Sequence, residues 1–195
     1  MKNTLKIVFC LFFSMSIYSQ VTVILPLSSF DDSNGAYYKD LDNEFLHYEG
    51  TWEGILNNKK YTFVFQKFTQ QLRSFYPLSD SYSYHDELKG KFKVTDITTN
   101  TIIYSSLNAI SYDEFPIYGI VKPYHNRFKF IFTDTVENCQ NTLEFYLENI
   151  PNQPNQLKYS FFNYDSWWKS NCTTYSDRMD IPVNSPMSEL ILTKL

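Results

Sequence analysis

Only five glycines are spread over the 195-residue chain, and alanine is scarcer still. With so little glycine, neither a nucleotide-binding loop nor a Gly-x-Ser-x-Gly elbow occurs, so no motif points to those phosphate and acyl-transfer chemistries. The three histidines, His47, His85 and His125, have no second His or Cys at metal-ligand spacing, and no metal centre is expected. "FDDSNG" is not an EF-hand loop: with Gly35 at its sixth position, the first falls on Phe30, which cannot coordinate. A looser carboxylate site would draw on Asp31, Asp32, Asp40 or Asp42. No basic stripe is present and the formal net charge is −4, which argues against a nucleic-acid partner. No apolar run reaches the roughly 20 residues of a membrane-spanning helix. Internal repeats, low-complexity tracts and long helical periods are absent as well. No cofactor is implied by any pattern in the chain.

Aromatics are abundant instead: 16 Tyr and 17 Phe. Such residues fit the half-buried, pleated surface of a sheet. "YTFVFQKF" alternates, with Tyr61, Phe63 and Phe65 on one face and Thr62 and Gln66 on the other. In "DELKGKFKVT", Leu88, Gly90, Phe92 and Val94 oppose Glu87, Lys89, Lys91 and Lys93. "RFKFIF" aligns Phe128, Phe130 and Phe132; "TLEFYLEN" aligns Leu143, Phe145 and Leu147; "SELILTKL" aligns Leu190 and Leu192. "TIIYSS" and "YGIVK" are shorter candidates. The pattern predicts an all-β fold, an antiparallel up-and-down barrel of about eight to nine strands. A two-sheet β-sandwich is the alternative. Before the strands, Leu41, Phe45 and Tyr48 are spaced as one or two helical turns, with Asp40 or Asp42 as cap. Two longer stretches, 69–82 and 165–187, have no period and are read as loops.

Residues 1–19 read as a signal peptide. Lys2 and Lys6 form a basic start, Ile7 to Phe13 an apolar segment, and Ser19 a small residue before the cleavage point. Cys10 lies inside the apolar segment, and bulky Phe9 stands where a lipid anchor needs a small residue. Cleavage would leave 15 basic against 21 acidic residues. Residues 20–49 would then be an N-terminal arm with a short helix, and 50–195 the barrel. The expected location is secreted or periplasmic. Cys139 and Cys172 remain after cleavage, an even number in an oxidising compartment. They stand just outside the two strands that flank "PNQPNQ", so they would meet at the open end of that hairpin as a disulfide.

Gly50-Thr51-Trp52, after a short helical turn and before the strands, resembles the Gly-x-Trp signature of lipocalin-like (calycin) barrels. The resemblance implies that Trp52 closes the barrel floor and that Gly50 lets the entering chain approach closely. Gly54 would let the first strand bend. Lipocalins pack an Arg near the last strand over this Trp; here the last strand offers Lys194, and the nearest Arg is Arg178. "YYKDLDNEF...GTW" is also similar to a family of secreted bacterial proteins of unknown function. That likeness implies a small exported β-domain and no activity.

The candidate recognition segment runs from Tyr164 to Tyr175. Trp167 and Trp168 are adjacent, so both cannot easily turn inward. With Tyr164, Lys169 and Tyr175 they would make an aromatic platform for a sugar or a protein partner; a lid packed over the core is the other reading. With both late cysteines bridged, no thiolate nucleophile remains. The chain is therefore read as a non-catalytic secreted barrel that binds a small apolar or amphipathic ligand in its mouth. The alternative is an interaction module with a filled barrel, binding a protein or surface glycan through outer loops.

Overall fold

The computed structural model describes residues 22–29, 31, 33–74, 76–124, 127–134, 139, 142–162, 172, 174 and 190–195. Its strands are β1 (Ile24–Pro26), β2 (Tyr37–Lys39), β3 (Gly50–Leu56), β4 (Lys59–Ser74), β5 (Tyr82–Asp96), β6 (Thr101–Ser105), β7 (Ile117–Tyr124), β8 (Arg127–Thr133), β9 (Thr142–Asn149), β10 (Gln156–Phe162) and β11 (Leu190–Lys194). Eight of them, β3, β4, β5 and β7 to β11, close into an antiparallel barrel. The seam is β11 against β3, with Thr193 opposite Glu53 and Lys194 opposite Trp52. Between β5 and β7 only Lys89–Tyr118 and Gly90–Ile117 pair, because the far half of β5 is taken by β6.

Alternation drives this architecture. Phe63, Phe65, Phe92, Phe128, Phe130, Phe132 and Phe145 all turn inward and are buried. Their rings pack face to face and edge to face, from 4.8 Å between Phe65 and Phe130 to 6.2 Å between Phe63 and Phe145. Aromatic pairs favour this range of separations. Tyr159 joins the stack 4.9 Å from Phe145. Where these rings lie, the interior is filled by side chains.

One end of the barrel is closed by the 3-10 turn Glu44–His47, which buries Phe45. Tyr48 is buried beside it, whereas Leu41 is exposed, so the expected helical face is one residue shorter than its spacing implied. The cap position itself is Asn43, which makes no side-chain cap bond; of the two residues expected as cap, Asp40 accepts the backbone N–H groups of Glu44 and Phe45 at 2.8 and 3.3 Å from further upstream. Trp52 is fully buried at this floor and donates its indole N–H to the Tyr48 carbonyl at 2.7 Å. The Lys194 ammonium lies 5.2 Å over its ring, which gives the indole a cation from the last strand. Gly50 turns into β3 at φ +111°, a conformation that side chains resist. At Gly54 a Cβ would collide with the Ile191 carbonyl of β11, so the seam closes only over a glycine.

At the opposite end, Cys139 and Cys172 are joined by a disulfide. They flank the β9–β10 hairpin, whose register pairs Leu147 with Tyr159.

One expectation is corrected. Residues 69–74, read as loop, belong to β4, which pairs with β5 as far as Ser74–Tyr82. A register shift between Phe68 and Gln71 marks the point past which side chains on both faces meet solvent or polar neighbours, and this erased the period. Within the arm, β1 pairs with β2 in parallel, and β2 pairs in parallel with β5.

Candidate functional site: an outer cleft beside the barrel

The β4–β5 hairpin runs past the barrel end and, with the arm, forms a cleft of about 960 Å³ on the outside. Its walls come from three distant stretches: Leu27 to Tyr38 of the arm, Arg73 to Lys89 of the hairpin, and Tyr112, Tyr118 and Gly119. The lining is hydroxyl-rich, with Ser29, Ser33, Ser79, Ser81 and Ser83 beside Tyr38, Tyr82, Tyr112 and Tyr118.

The arm is held here by a buried polar knot. Asp86 accepts the Tyr37 hydroxyl at 2.5 Å and the backbone N–H groups of Asp40 and Gln70, each at 3.1 Å. Lys67 bridges Asp40 at 3.1 Å and Asp86 at 3.4 Å. Burial alone would raise the Asp86 pKa, but the Tyr37 hydroxyl, the two amides and the Lys67 charge hold it below the ordinary carboxylate value. Burial, the Asp86 hydrogen bond and the Asp86 charge push the Tyr37 phenol up to about 12, so it stays a donor. Tyr38 adds a stacked contact with His85, ring centroids 4.5 Å apart, and donates its hydroxyl to the Asp31 carbonyl.

The floor of the cleft is charged. Glu87 and Lys89 sit on the face of β5 that points away from the barrel, as their alternation predicted, but both are buried. The reason is the 3-10 turn Tyr112–Glu114, fixed by a capping box from Ser111 to Glu114, which covers them. Glu87 accepts from Arg73 Nε at 2.6 Å and from the Tyr112 hydroxyl at 2.6 Å. The Lys89 ammonium donates to the Tyr112 carbonyl at 2.8 Å and lies 3.7 Å over the Tyr112 ring. Burial and then hydrogen bonding to Glu87 push the Tyr112 phenol up.

Ser83 and His85 are within hydrogen-bond distance, 2.8 Å from Oγ to Nε2. Burial and then the Arg73 charge lower His85 to about 4, which makes it a poor proton acceptor. Ser83 is itself buried.

The sequence-predicted platform, Tyr164, Trp167, Trp168, Lys169 and Tyr175, lies outside the described residues. Of the residues singled out above, the structure brings Gly50, Trp52 and Gly54 to the barrel floor and seam, not to the cleft. Sequence reading missed Arg73, Ser83, Glu87 and Lys89 as a site; the one signal was a charged alternation on a strand otherwise rich in Phe. Among the described residues, no group of three or more His, Cys, Asp or Glu is placed to hold a metal ion, and no helix is long and apolar enough to cross a membrane.

The model of a family of unknown function, DUF6705, matches residues 1–195. The chain belongs to that family. No curated protein and no solved structure matches it. DUF6705 membership brings no activity with it, so function has to be argued from the filled barrel and the cleft beside it.

Proposed function

We propose that the chain is an exported, non-catalytic β-barrel domain whose outer cleft binds a hydroxyl-rich ligand of saccharide type. The observation that carries this reading is the division of the molecule into a barrel packed with phenyl rings and an external cleft of about 960 Å³ lined by serine and tyrosine. Tyrosine rings offer flat apolar faces to a sugar ring, and hydroxyls exchange hydrogen bonds with its edges. Small ligands settle in concave sites with a few fixed polar groups, and Arg73 and Glu87 supply such groups here. A small apolar ligand inside the barrel would have to displace Phe63, Phe65 or Phe130 from close ring contacts. Export is supported by the basic and apolar opening of the sequence and by the Cys139–Cys172 bridge.

The test is a glycan array probed with the purified chain, repeated with Tyr82→Ala, beside titration with an environment-sensitive fluorescent fatty acid. Glycan binding that weakens in Tyr82→Ala, with no saturable fatty-acid binding, is the expected result. Saturable fatty-acid binding without any glycan signal would overturn the reading. Mass spectrometry of the protein recovered from culture fluid and periplasm tests export; a mature chain starting at Gln20 is expected.

A further inference from the structure

Lys89 and Arg73 give the cleft floor a chemistry that goes beyond hydroxyl recognition, although it rests on the cleft being the binding site. Lys89 is only 9% exposed, and among the described residues no carboxylate lies within ion-pair distance of its ammonium. Glu87, two residues earlier on the same face, is occupied by Arg73 and by the Tyr112 hydroxyl. Asp113 is exposed and acts on Lys89 only through its longer-range charge. His85, with its pKa near 4, is neutral at physiological pH. A buried ammonium without a counter-ion is costly to a fold. Burial accordingly lowers the Lys89 pKa; Glu87 and Asp113 oppose that shift, and Arg73 adds to it. Among the described residues Arg73 is engaged through Nε, and its side chain is 42% exposed at the cleft. Its terminal nitrogens have the planar fork that matches a carboxylate. Among the described residues, Lys89 and Arg73 therefore form a two-cation floor at which Glu87 is the one carboxylate in a direct ion pair, and it is already engaged.

We propose that Lys89 and Arg73 clamp the carboxylate of an acidic saccharide, such as a uronic-acid residue, in the outer cleft. The serine and tyrosine walls would contact the sugar, and the two cations its acid group. A free anion would share only the second set of contacts.

The experiment titrates the full chain with uronic-acid oligosaccharides and with their methyl esters, which keep the shape and remove the charge. Sodium acetate and inorganic phosphate are the free-anion arms. Lys89→Gln and Arg73→Gln are compared with Lys91→Gln, whose ammonium donates to the Ala109 carbonyl. The acid form should bind at least about tenfold tighter than the ester, and added salt should reduce that advantage. Lys89→Gln and Arg73→Gln should remove the advantage of acid over ester, whatever they do to ester binding itself; Lys91→Gln should change neither the advantage nor ester binding. Equal binding of acid and ester overturns the clamp while the cleft reading stands. Acetate or phosphate binding as tightly as the oligosaccharide overturns the saccharide part. Loss of all glycan binding in the wild type removes both. Should Lys89→Gln fail to fold, reductive ¹³C-methylation keeps the charge and reports the Lys89 pKa by NMR. The acid oligosaccharide should raise that pKa and the ester should not; no difference between them overturns the clamp.

Discussion

Trp52→Ala removes the floor of the barrel, and its cost can be worked from the contacts. The indole is fully buried, and truncating a buried aromatic costs about 3–5 kcal/mol. The Tyr48 carbonyl also loses the indole N–H at 2.7 Å, and a buried acceptor left unpaired costs about 1–3 kcal/mol. These overlap, since water can enter the cavity and bond the carbonyl, so a total near 5 kcal/mol is expected. Domains of this size have about 5–15 kcal/mol in all, and each kcal/mol moves the melting temperature by about 2–4 °C. A drop of about 10–20 °C should follow. Trp52→Phe separates the two contributions: it keeps most of the ring and loses the N–H, so about 1–3 kcal/mol is expected. Urea unfolding read by far-UV circular dichroism measures both, without relying on the fluorescence of the deleted residue. A Trp52→Ala loss below about 1 kcal/mol would refute the floor argument. So would lost glycan binding at an unchanged melting temperature, because Trp52 would then be a surface contact.

Reduction of Cys139–Cys172, separated by 33 positions, should cost about 3–4 kcal/mol in the chain-entropy treatment; intact mass before and after reductant, with urea curves on each form, checks this. His85 makes stability fall on mild acidification. Its folded pKa of about 4 lies below the ordinary 6.5, so the unfolded chain binds the proton first. The contribution is complete above pH 6.5 and declines toward pH 4, on the order of 2 kcal/mol, and His85→Gln should flatten that part of the pH–stability curve. Asp86 acts lower: its depressed pKa stabilises the fold above the ordinary carboxylate range and is lost as pH falls through the folded value, a slope that Asp86→Asn should remove. Gly54→Ala should destabilise by about 1–3 kcal/mol through the Ile191 carbonyl, with the barrel's circular dichroism preserved at low temperature.

The barrel strands were legible because one face of each packs rings and the other meets water or polar neighbours, and that contrast is written residue by residue in Phe128, Phe130 and Phe132. The contrast ends at the register shift after Phe68. Beyond it the hairpin is held by backbone pairing and by polar contacts such as Arg73 to Glu87, and neither leaves an apolar period in the side chains. Trp52 was legible through its neighbour Gly50, whose positive φ is a local demand. The cleft was not, because it joins Tyr38, Arg73 and Tyr112, and only the fold makes them neighbours. Lys89 shows the limit most clearly. Alternation gave its side of the strand correctly, yet an outward lysine on a strand normally reads as solvated. Its burial depends on a turn 23 residues away. Tyr164, Trp167, Trp168, Lys169 and Tyr175 remain a sequence argument.

The parallel pairing of β2 on β5 has a consequence for how such a protein can change. The barrel strands close through the β11–β3 and β5–β7 seams, and neither seam pairs with β1, β2 or the outer half of the hairpin. Substitutions between residues 73 and 83 therefore need not be re-fitted to the ring stack, because that stretch carries none of the fully buried large side chains. Variation of the hairpin and the arm exchanges the walls of the cleft while its attachment, the Asp86 knot, stays in place. One scaffold can thus be fitted to different ligands by trading serines and tyrosines on two surface segments, at small cost to the stability of the barrel that carries them.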